Sequence, residues 1–142
     1  MTREDSAKIK PIDPLESASR TLDAEIAGLA KLKSSLSNDF VTSVEMLAGV
    51  NGRIIISGMG KSGHIGRKIA ATLASTGTPA QFVHPGEASH GDLGMITAQD
   101  IVIGLSWSGE TPELANLLAY VKRFKIPLIG ITSNADSALG VA

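Results

Sequence analysis

Three hydroxyl groups lie close together in the segment LSWSGETPE, where Ser106, Ser108 and Thr111 are separated by only one or two residues. Each hydroxyl can donate a hydrogen bond to an anion, and Gly109 between them lets the backbone turn tightly. Thr111 precedes Pro112, which is typical of a helix N-cap followed by the first helical residue, and a helix start presents free backbone N–H groups. The segment therefore predicts a site for a phosphate monoester. The alternative is that the serines only turn the chain and Thr111 only caps the helix.

A second glycine-rich loop, GMGKSG at residues 58–63, follows an apolar run and precedes a helix-like segment. It is not a Walker A loop, because that motif needs a glycine five residues before Gly60, where Ile55 stands. It does fit the dinucleotide pattern G-x-G-x-x-G, but the acidic residue expected about 20 residues further on is absent from QFVHP. The lysine and serine in the loop suit a smaller anion. Nicotinamide or flavin binding is therefore the less favoured alternative.

Short apolar runs alternate with helix-like segments through the last two thirds of the chain. The predicted strands are 53–57, 80–83, 101–105 and 127–132, and the helices are 63–76 and 112–125. This alternation predicts an α/β fold, a doubly wound parallel sheet covered by helices on both faces. Each strand is followed by a polar loop, and ligands bind such sheets at the carboxyl ends of the strands, where the strand order reverses. In the order 2-1-3-4, the loops after the first and third strands are neighbours.

The N-terminal part predicts a helical hairpin. From Leu15 to Leu36 apolar residues recur at steps of three and four, the period of an amphipathic helix, and a shorter helix from Phe40 is ended by Asn51-Gly52. We expect this hairpin to mediate subunit contact. Residues 1–14 are polar, contain two prolines and predict a flexible leader, followed by one domain at 15–142.

Composition narrows the choice of partner. The 142 residues carry a net charge of -1, so no basic excess indicates binding to nucleic acid or to an anionic membrane. There is no cysteine, which excludes disulfides and thiolate chemistry in this sequence, and the N-terminus lacks a signal-peptide pattern. These features predict a soluble cytoplasmic protein with a small-molecule partner.

The run GMGKSGHIGRKIAATLASTGTPAQFVHPGEASHGDLGMI, together with LSWSGETPE, resembles the sugar isomerase (SIS) family and, within it, the arabinose 5-phosphate isomerases. The resemblance extends from about residue 15 to 142. It implies a five-stranded parallel sheet of flavodoxin-like order in a homo-tetramer that interconverts D-arabinose 5-phosphate and D-ribulose 5-phosphate. It also implies that the phosphate is bound by Ser106, Ser108 and Thr111, with Ser62 as a further contact.

The sequence departs from the family pattern in two respects. Family members continue with another strand and helix carrying a further glutamate and histidine of the active site, and commonly with paired CBS domains. This chain stops at GVA, so we expect a SIS domain truncated at its C-terminal end. In addition, Trp107 stands where we expect a small or polar residue such as asparagine. Its bulk would change which sugars fit.

Moving a carbonyl between C1 and C2 through an enediol requires a base and groups that carry protons between two oxygens, but no metal or redox cofactor. Glu110 lies inside the hydroxyl-rich turn, where its carboxylate would add negative charge beside an anionic ligand. This unfavourable placement indicates that the carboxylate has a function, and the resemblance implies a catalytic role there. We expect Glu110 to be the acid/base, with a surface or capping charge as the alternative. Lys61 would stabilise charge rather than act as a base unless desolvation lowers its pKa. The resemblance places this lysine among the catalytic residues.

Two histidines flank Glu87 on the loop after the second predicted strand. Histidine titrates near neutral pH and suits a proton shuttle, and His90 is the favoured catalytic one. We expect His84, Glu87 and Gly60 to contribute to substrate binding. The six-residue gap between His84 and His90 is not a zinc spacing, so no catalytic metal is expected.

The sequence is also compatible with two other classes of function. SIS domains also serve regulators that bind a sugar phosphate without turning it over, and a fused DNA-binding helix-turn-helix would favour that class. The first 50 residues show no basic recognition helix. A dehydrogenase is the third possibility, and it requires dinucleotide binding.

Overall fold

The structure, a computed structural model, describes residues 12–88 and 90–142. The helices are α1 (Pro14–Ser35), α2 (Asn38–Ala48), α3 (Gly60–Ser75), α4 (Pro85–Ala88) and α5 (Ala115–Phe124). The strands are β1 (Ile54–Gly58), β2 (Ala80–Phe82), β3 (Ile101–Leu105) and β4 (Leu128–Ile131). Two short 3-10 helices occupy Asp92–Met95 and Pro112–Leu114. The chain divides into two units between Phe40 and Val41.

Both predicted N-terminal helices are present. Helix α1 begins at Pro14 because the Asp13 carboxylate accepts a hydrogen bond from Leu15 N at 3.0 Å, a typical N-cap, and proline suits the first helical position. The predicted leader lies mostly outside the described residues. No residue of α1 is buried, and its apolar side, which includes Leu22, Ile26 and Leu29, remains exposed. Among the described residues, no helix is both long enough and apolar enough to cross a membrane.

The four strands of the described residues form one parallel sheet in the order β2-β1-β3-β4. The strand order reverses at β1, because the chain passes first to β2 on one side and then returns to β3 on the other. The predicted doubly wound parallel sheet is therefore confirmed, with four strands here against the five that the family resemblance implies. All residues of β1 and β3 are buried, as expected for strands covered on both faces.

Each face of the sheet has its own apolar core, because successive residues of a strand point to opposite faces. On one face Ile55 of β1 packs with Leu117 and Val121 of α5. On the other face Ile54 and Ile56 pack with Ala70 of α3. The sheet is thus held between α3 and α5, which fixes the positions at which its strands end.

One predicted helix start is wrong by three residues. Helix α3 begins at Gly60 rather than at residue 63, so the last four residues of GMGKSG are already helical. The other predicted start is confirmed, because a 3-10 helix begins at Pro112 with Thr111 at its N-cap and leads directly into α5 at Ala115. Local periodicity does not set helix starts, since these depend on which backbone N–H groups find partners in the folded chain.

Asp100 joins the starts of β1 and β3, at the end of the sheet opposite the polar loops that follow the strands. Its carboxylate accepts hydrogen bonds from Arg53 N at 2.7 Å and Thr97 N at 2.8 Å, and it forms an ion pair with the Arg53 guanidinium at 3.3 Å. Burial of Asp100 acts to raise its pKa, but the hydrogen bonds from Thr97 and Arg53 outweigh it and hold the pKa below the usual 3.8. The ionised form is therefore the one that stabilises the fold.

We expect Asp100→Asn to lower the free energy of unfolding by about 2 kcal/mol at neutral pH, because the amide loses the charge-assisted bonds to Arg53 and Thr97. A lowered folded-state pKa contributes stability above the unfolded value of 3.8, and this stability is lost as the pH falls through the folded pKa. Denaturant unfolding of both proteins at neutral pH and in acid tests this. The difference in free energy of unfolding between the two proteins should become smaller in acid. A difference that did not change with pH would contradict the role of the ionised carboxylate.

Candidate functional site

The two loops predicted to be neighbours lie side by side at the carboxyl edge of the sheet. Gly58, the last residue of β1, pairs with Leu105, the last residue of β3. A Cβ on Gly58 would lie 3.0 Å from Leu105 O and 3.2 Å from the backbone of Ser62, so the start of α3 and the end of β3 approach closely here. The point at which the strand order reverses therefore brings both polar loops into one place, where α/β sheets bind ligands.

The glycines of GMGKSG place the first turn of α3 directly on the end of β1. A Cβ on Gly63 would lie only 2.6 Å from Gly58 O, which leaves no room for a side chain. Gly60 has a φ of 53° with open space around it, so it supplies the left-handed conformation at the turn. Lys61 is exposed and Ser62 is half-buried in this first helical turn. Helix starts carry N–H groups without intrahelical partners, which favour an anion.

Residues 106–111, here named the hydroxyl turn, are ordered by their own side chains. The Ser106 and Thr111 hydroxyls lie 2.7 Å apart, and Ser106 Oγ also accepts from Gly109 N at 3.0 Å. Glu110 N donates to Ser108 Oγ at 3.2 Å. Thr111 stands at the N-cap position as predicted, but its side chain makes no capping hydrogen bond. Thr111 thus occupies the predicted cap position, but its hydroxyl pairs with the buried Ser106 instead of with the helix backbone.

A cleft of about 270 Å³ lies between the start of α3, the hydroxyl turn and the loop after β4. Four hydroxyl side chains and four apolar side chains line it, namely Ser62, Ser106, Thr132, Ser133, Ile65, Leu105, Trp107 and Ile131. The cleft thus unites Ser62 and Ser106, two of the four predicted phosphate contacts. The sequence analysis missed Thr132 and Ser133, for which the only signal was the polar loop after the fourth strand.

Thr132 and Ser133 hold the backbone of the hydroxyl turn. The Trp107 carbonyl accepts from Ser133 N at 3.0 Å, from Ser133 Oγ at 2.7 Å and from Thr132 Oγ1 at 3.2 Å. The indole itself is 81% exposed. Trp107 is therefore anchored through its main chain, while its side chain forms one wall of the cleft.

We expect Trp107→Asn to change the free energy of unfolding by less than about 0.5 kcal/mol, because an exposed side chain away from a packed core contributes little to stability. The carbonyl that Ser133 and Thr132 bind is retained. Thermal melting of the full-length protein measures this, with Leu105→Ala, which truncates a buried side chain, as the destabilised reference. A large loss of stability in Trp107→Asn would mean that the indole packs against another part of the protein.

Glu110 has a partner that the sequence did not indicate. Its Oε1 accepts a hydrogen bond from Ala138 N at 2.8 Å, although the residue as a whole is exposed. The carboxylate is therefore directed to the segment after β4. Its predicted acid/base role stays a prediction.

The loop after β2 carries the remaining predicted site residues. The ring of His84 lies against Gly86, whose Cβ would be 3.2 Å from Nδ1, and this nitrogen is buried without a hydrogen-bond partner among the described residues. Glu87 and His90 are exposed, and His90 N donates to Glu87 O at 2.8 Å. This loop packs through α4 against Pro112–Leu114, which directly follows the hydroxyl turn, and against α5. The described residues contain no group of three or more histidine, aspartate or glutamate side chains that could hold a metal ion.

Comparison with curated proteins finds relatives with about 50% sequence identity to this chain. The chain is 52% identical over 131 residues to the Pseudomonas aeruginosa protein named arabinose 5-phosphate isomerase KdsD, a match covering 92% of this chain and 40% of that protein. The Yersinia pestis protein of the same name is 53% identical over the same length. The chain thus spans about 40% of the length of these curated relatives.

Solved structures share the fold. The Escherichia coli CFT073 protein c3406, solved in complex with arabinose 5-phosphate, has a TM-score of 0.83 and 37% identity, with coverage of 92% of this chain and 71% of that one. The Vibrio vulnificus NanR protein complexed with ManNAc-6P has a TM-score of 0.79 at 19% identity, which shows the fold alone. The SIS domain family model matches residues 46–141, more than half of the 142 residues. The chain therefore belongs to the SIS domain family.

Proposed function

We propose that the protein is a sugar-phosphate isomerase that interconverts D-arabinose 5-phosphate and D-ribulose 5-phosphate through an enediol. The observation that carries this proposal is the pairing of Gly58 with Leu105, which unites the lysine-bearing start of α3 with the hydroxyl turn in one cleft. The relatives named arabinose 5-phosphate isomerase support the substrate, as does the c3406 complex with arabinose 5-phosphate.

The phosphate group is the part of the substrate for which the site offers the most donors. Ser62 lies in the first turn of α3, and Ser106, Ser108 and Thr111 lie in the hydroxyl turn. Hydroxyls together with free N–H groups at a helix start suit a phosphate monoester. Lys61, exposed beside Ser62, adds a positive charge without which a dianion would be poorly neutralised.

The isomerisation needs a proton taken from carbon and protons exchanged between O1 and O2. In this proposal Glu110 takes the proton from carbon, Lys61 stabilises the negative charge of the enediolate, and His90 carries a proton between the sugar oxygens. His84, Glu87 and Gly60 border the sugar. Charge stabilisation by a cation, proton abstraction by a carboxylate and proton transfer by an imidazole together meet the demands of an enediol mechanism without a redox cofactor.

We also propose that the protein is a cytoplasmic homo-tetramer. The exposed apolar side of α1 supports self-association, since Leu15 is 80% and Leu29 is 66% exposed in the single chain. Apolar side chains repeated along one side of a helix are stabilised when a partner removes them from water.

The test is the conversion of D-arabinose 5-phosphate to D-ribulose 5-phosphate by the protein in its full natural length. Turnover that requires no added nucleotide is the expected result. Tight binding of D-arabinose 5-phosphate with no product would reject the isomerase and favour a regulatory module. Calorimetry with the same sugar phosphate separates that outcome from failure to bind, and dinucleotide binding would support the dehydrogenase instead.

A further inference from the structure

We infer that Ser137 is a positioning residue for the phosphate site: its buried side chain holds Gly109 in place and thereby sets the geometry of the hydroxyl turn. Ser137 lies in residues 134–140, here named the C-terminal turn, which follow β4. The inference rests on the proposed function, because it concerns the phosphate site of that reaction. It leaves the proposed roles of Lys61, Glu110 and His90 in the chemistry unchanged.

The first observation is the tight contact between Gly109 and Ser137. A Cβ on Gly109 would collide with both Cβ and Oγ of Ser137, and it would lie 2.8 Å from Thr132 Oγ1. Gly109 has a φ of 72°, so the hydroxyl turn bends at this residue. Glycine adopts this conformation without strain and leaves room for so close an approach. The Ser137 side chain therefore determines where the hydroxyl turn can bend.

The second observation is that the Ser137 side chain is itself fixed. Ser137 is fully buried, and its Oγ donates to Asn134 O at 2.6 Å and accepts from Gly140 N at 3.2 Å. Asp136 N in turn donates to Asn134 Oδ1 at 3.0 Å. The Ser137 hydroxyl thus uses both its proton and a lone pair within the C-terminal turn, which selects one rotamer. Gly109 therefore packs against a side chain that has little freedom to move.

The third observation is that the C-terminal turn is bound both to the hydroxyl turn and to the core. Leu139 N donates to Gly109 O at 3.0 Å, and Ala138 N donates to Glu110 Oε1 at 2.8 Å. The Leu139 side chain is buried and lies over Gly104 of β3. The segment that carries Ser137 is therefore anchored in the core of the sheet, and it holds residues 109–110 from the side opposite their serine partners.

The consequence for the phosphate site follows from the N–H groups of residues 109–110. Gly109 N donates to Ser106 Oγ at 3.0 Å, and Glu110 N donates to Ser108 Oγ at 3.2 Å. A serine oxygen that accepts from a backbone N–H directs its own proton away from that group. The position of Gly109 thus decides where the hydroxyl protons of the two serines point. Without the Ser137 hydroxyl, Gly109 would be free to shift, and the serines would lose the arrangement that suits a phosphate monoester.

The test compares Ser137→Ala with the unsubstituted protein of full natural length, using D-arabinose 5-phosphate. We expect Ser137→Ala to raise KM by about tenfold while kcat stays within about threefold, because the variant weakens binding of the phosphate but leaves Lys61 and Glu110 in place. An unchanged KM, or a fall in kcat of more than about tenfold, would overturn the inference.

Ser75→Ala is the matched control. Ser75 Oγ also donates to the carbonyl three residues earlier, Thr72 O at 2.8 Å, but Ser75 is exposed at the last residue of α3, about four turns from the start of that helix. Both variants therefore lose the same kind of hydrogen bond, and only one of them loses a contact with the hydroxyl turn. Ser75→Ala should leave KM and kcat unchanged. An equal rise in KM in the two variants would contradict the role of Ser137.

A milder pair of variants reaches the same turn from its surface. Asn134 is exposed, and Asn134→Ala removes the acceptor of Asp136 N without emptying a buried position. We expect Asn134→Ala to raise KM by about threefold, and Asn134→Asp, which keeps an oxygen at that place, to restore the unsubstituted value. This pair decides the inference if Ser137→Ala does not fold. The same KM in both Asn134 variants would then overturn it.

Inorganic phosphate provides a second readout that does not depend on turnover. Calorimetry should give a Kd for phosphate that is about tenfold higher in Ser137→Ala than in the unsubstituted protein. If D-arabinose 5-phosphate is not turned over at all, the proposed function fails, and this binding measurement still decides the role of Ser137. Equal affinity for phosphate in the two proteins, or no binding of phosphate to either, would reject that role.

Discussion

Lys61→Met is expected to lower kcat for conversion of D-arabinose 5-phosphate by about 10²- to 10³-fold, the usual cost of removing a group that stabilises charge developing in a transition state. Lys61 is exposed in the first turn of α3, beside the cleft that contains Ser62 and Ser106. Methionine preserves the length and the apolar stem of the side chain but not its positive charge. Steady-state kinetics on the full-length protein provide the measurement.

Lys68→Met is the matched control for this experiment. Lys68 lies on the same helix and is likewise exposed, but it stands about two turns further from the carboxyl edge of the sheet. Its substitution should leave kcat and KM nearly unchanged. Equal activity of the two variants would exclude Lys61 from the chemistry. A rise in KM alone for Lys61→Met would limit the lysine to binding of the phosphate.

Gly109→Ala is expected to lower the free energy of unfolding by about 3 kcal/mol through two effects. Gly109 has a φ of 72°, a conformation that costs about 1–2 kcal/mol for a residue with a Cβ. The new methyl group would also collide with the buried Ser137 side chain, and overpacking of this kind typically costs about 1–3 kcal/mol. Thermal or denaturant unfolding of the full-length protein measures the change.

Gly77→Ala separates these two effects. Gly77 follows α3 with a φ of 92°, and no atom lies within 4 Å of the position that its Cβ would occupy, so the substitution meets only the conformational cost. We expect it to lower the free energy of unfolding by about 1 kcal/mol. If both variants lost the same stability, the contact between Gly109 and Ser137 would be loose, and Ser137 would not confine the hydroxyl turn.

The overall arrangement of the sheet could be predicted from the sequence because the features that determine it are patterns within short segments of the chain. Continuous apolar runs such as IVIGL indicate strands buried on both faces, and the alternation with helices restricts the topology to a parallel, doubly wound sheet. Once the order 2-1-3-4 is assumed, the neighbouring positions of GMGKSG and the hydroxyl turn follow, and the pairing of Gly58 with Leu105 confirms them.

The partners of individual side chains could not be predicted in this way. Thr111 has the sequence context of a cap, yet its hydroxyl pairs with Ser106. Glu110 binds a backbone N–H group 28 residues away, and Ser133 binds Trp107 across 26 residues. A hydrogen bond needs its donor and acceptor within a few tenths of an ångström of their preferred separation, and no periodicity in the chain reports that separation.

The sequence alone thus determined which polar loops of this protein lie together at the candidate site, because the order of apolar and polar segments decides which loops end at the same edge of the sheet. Only the tertiary structure decided how the hydroxyl turn is held in place. Its support comes from Thr132, Ser133 and Ala138, all of which follow β4 in the chain. The physical reason is that residues far apart in sequence meet only after β3 and β4 have paired.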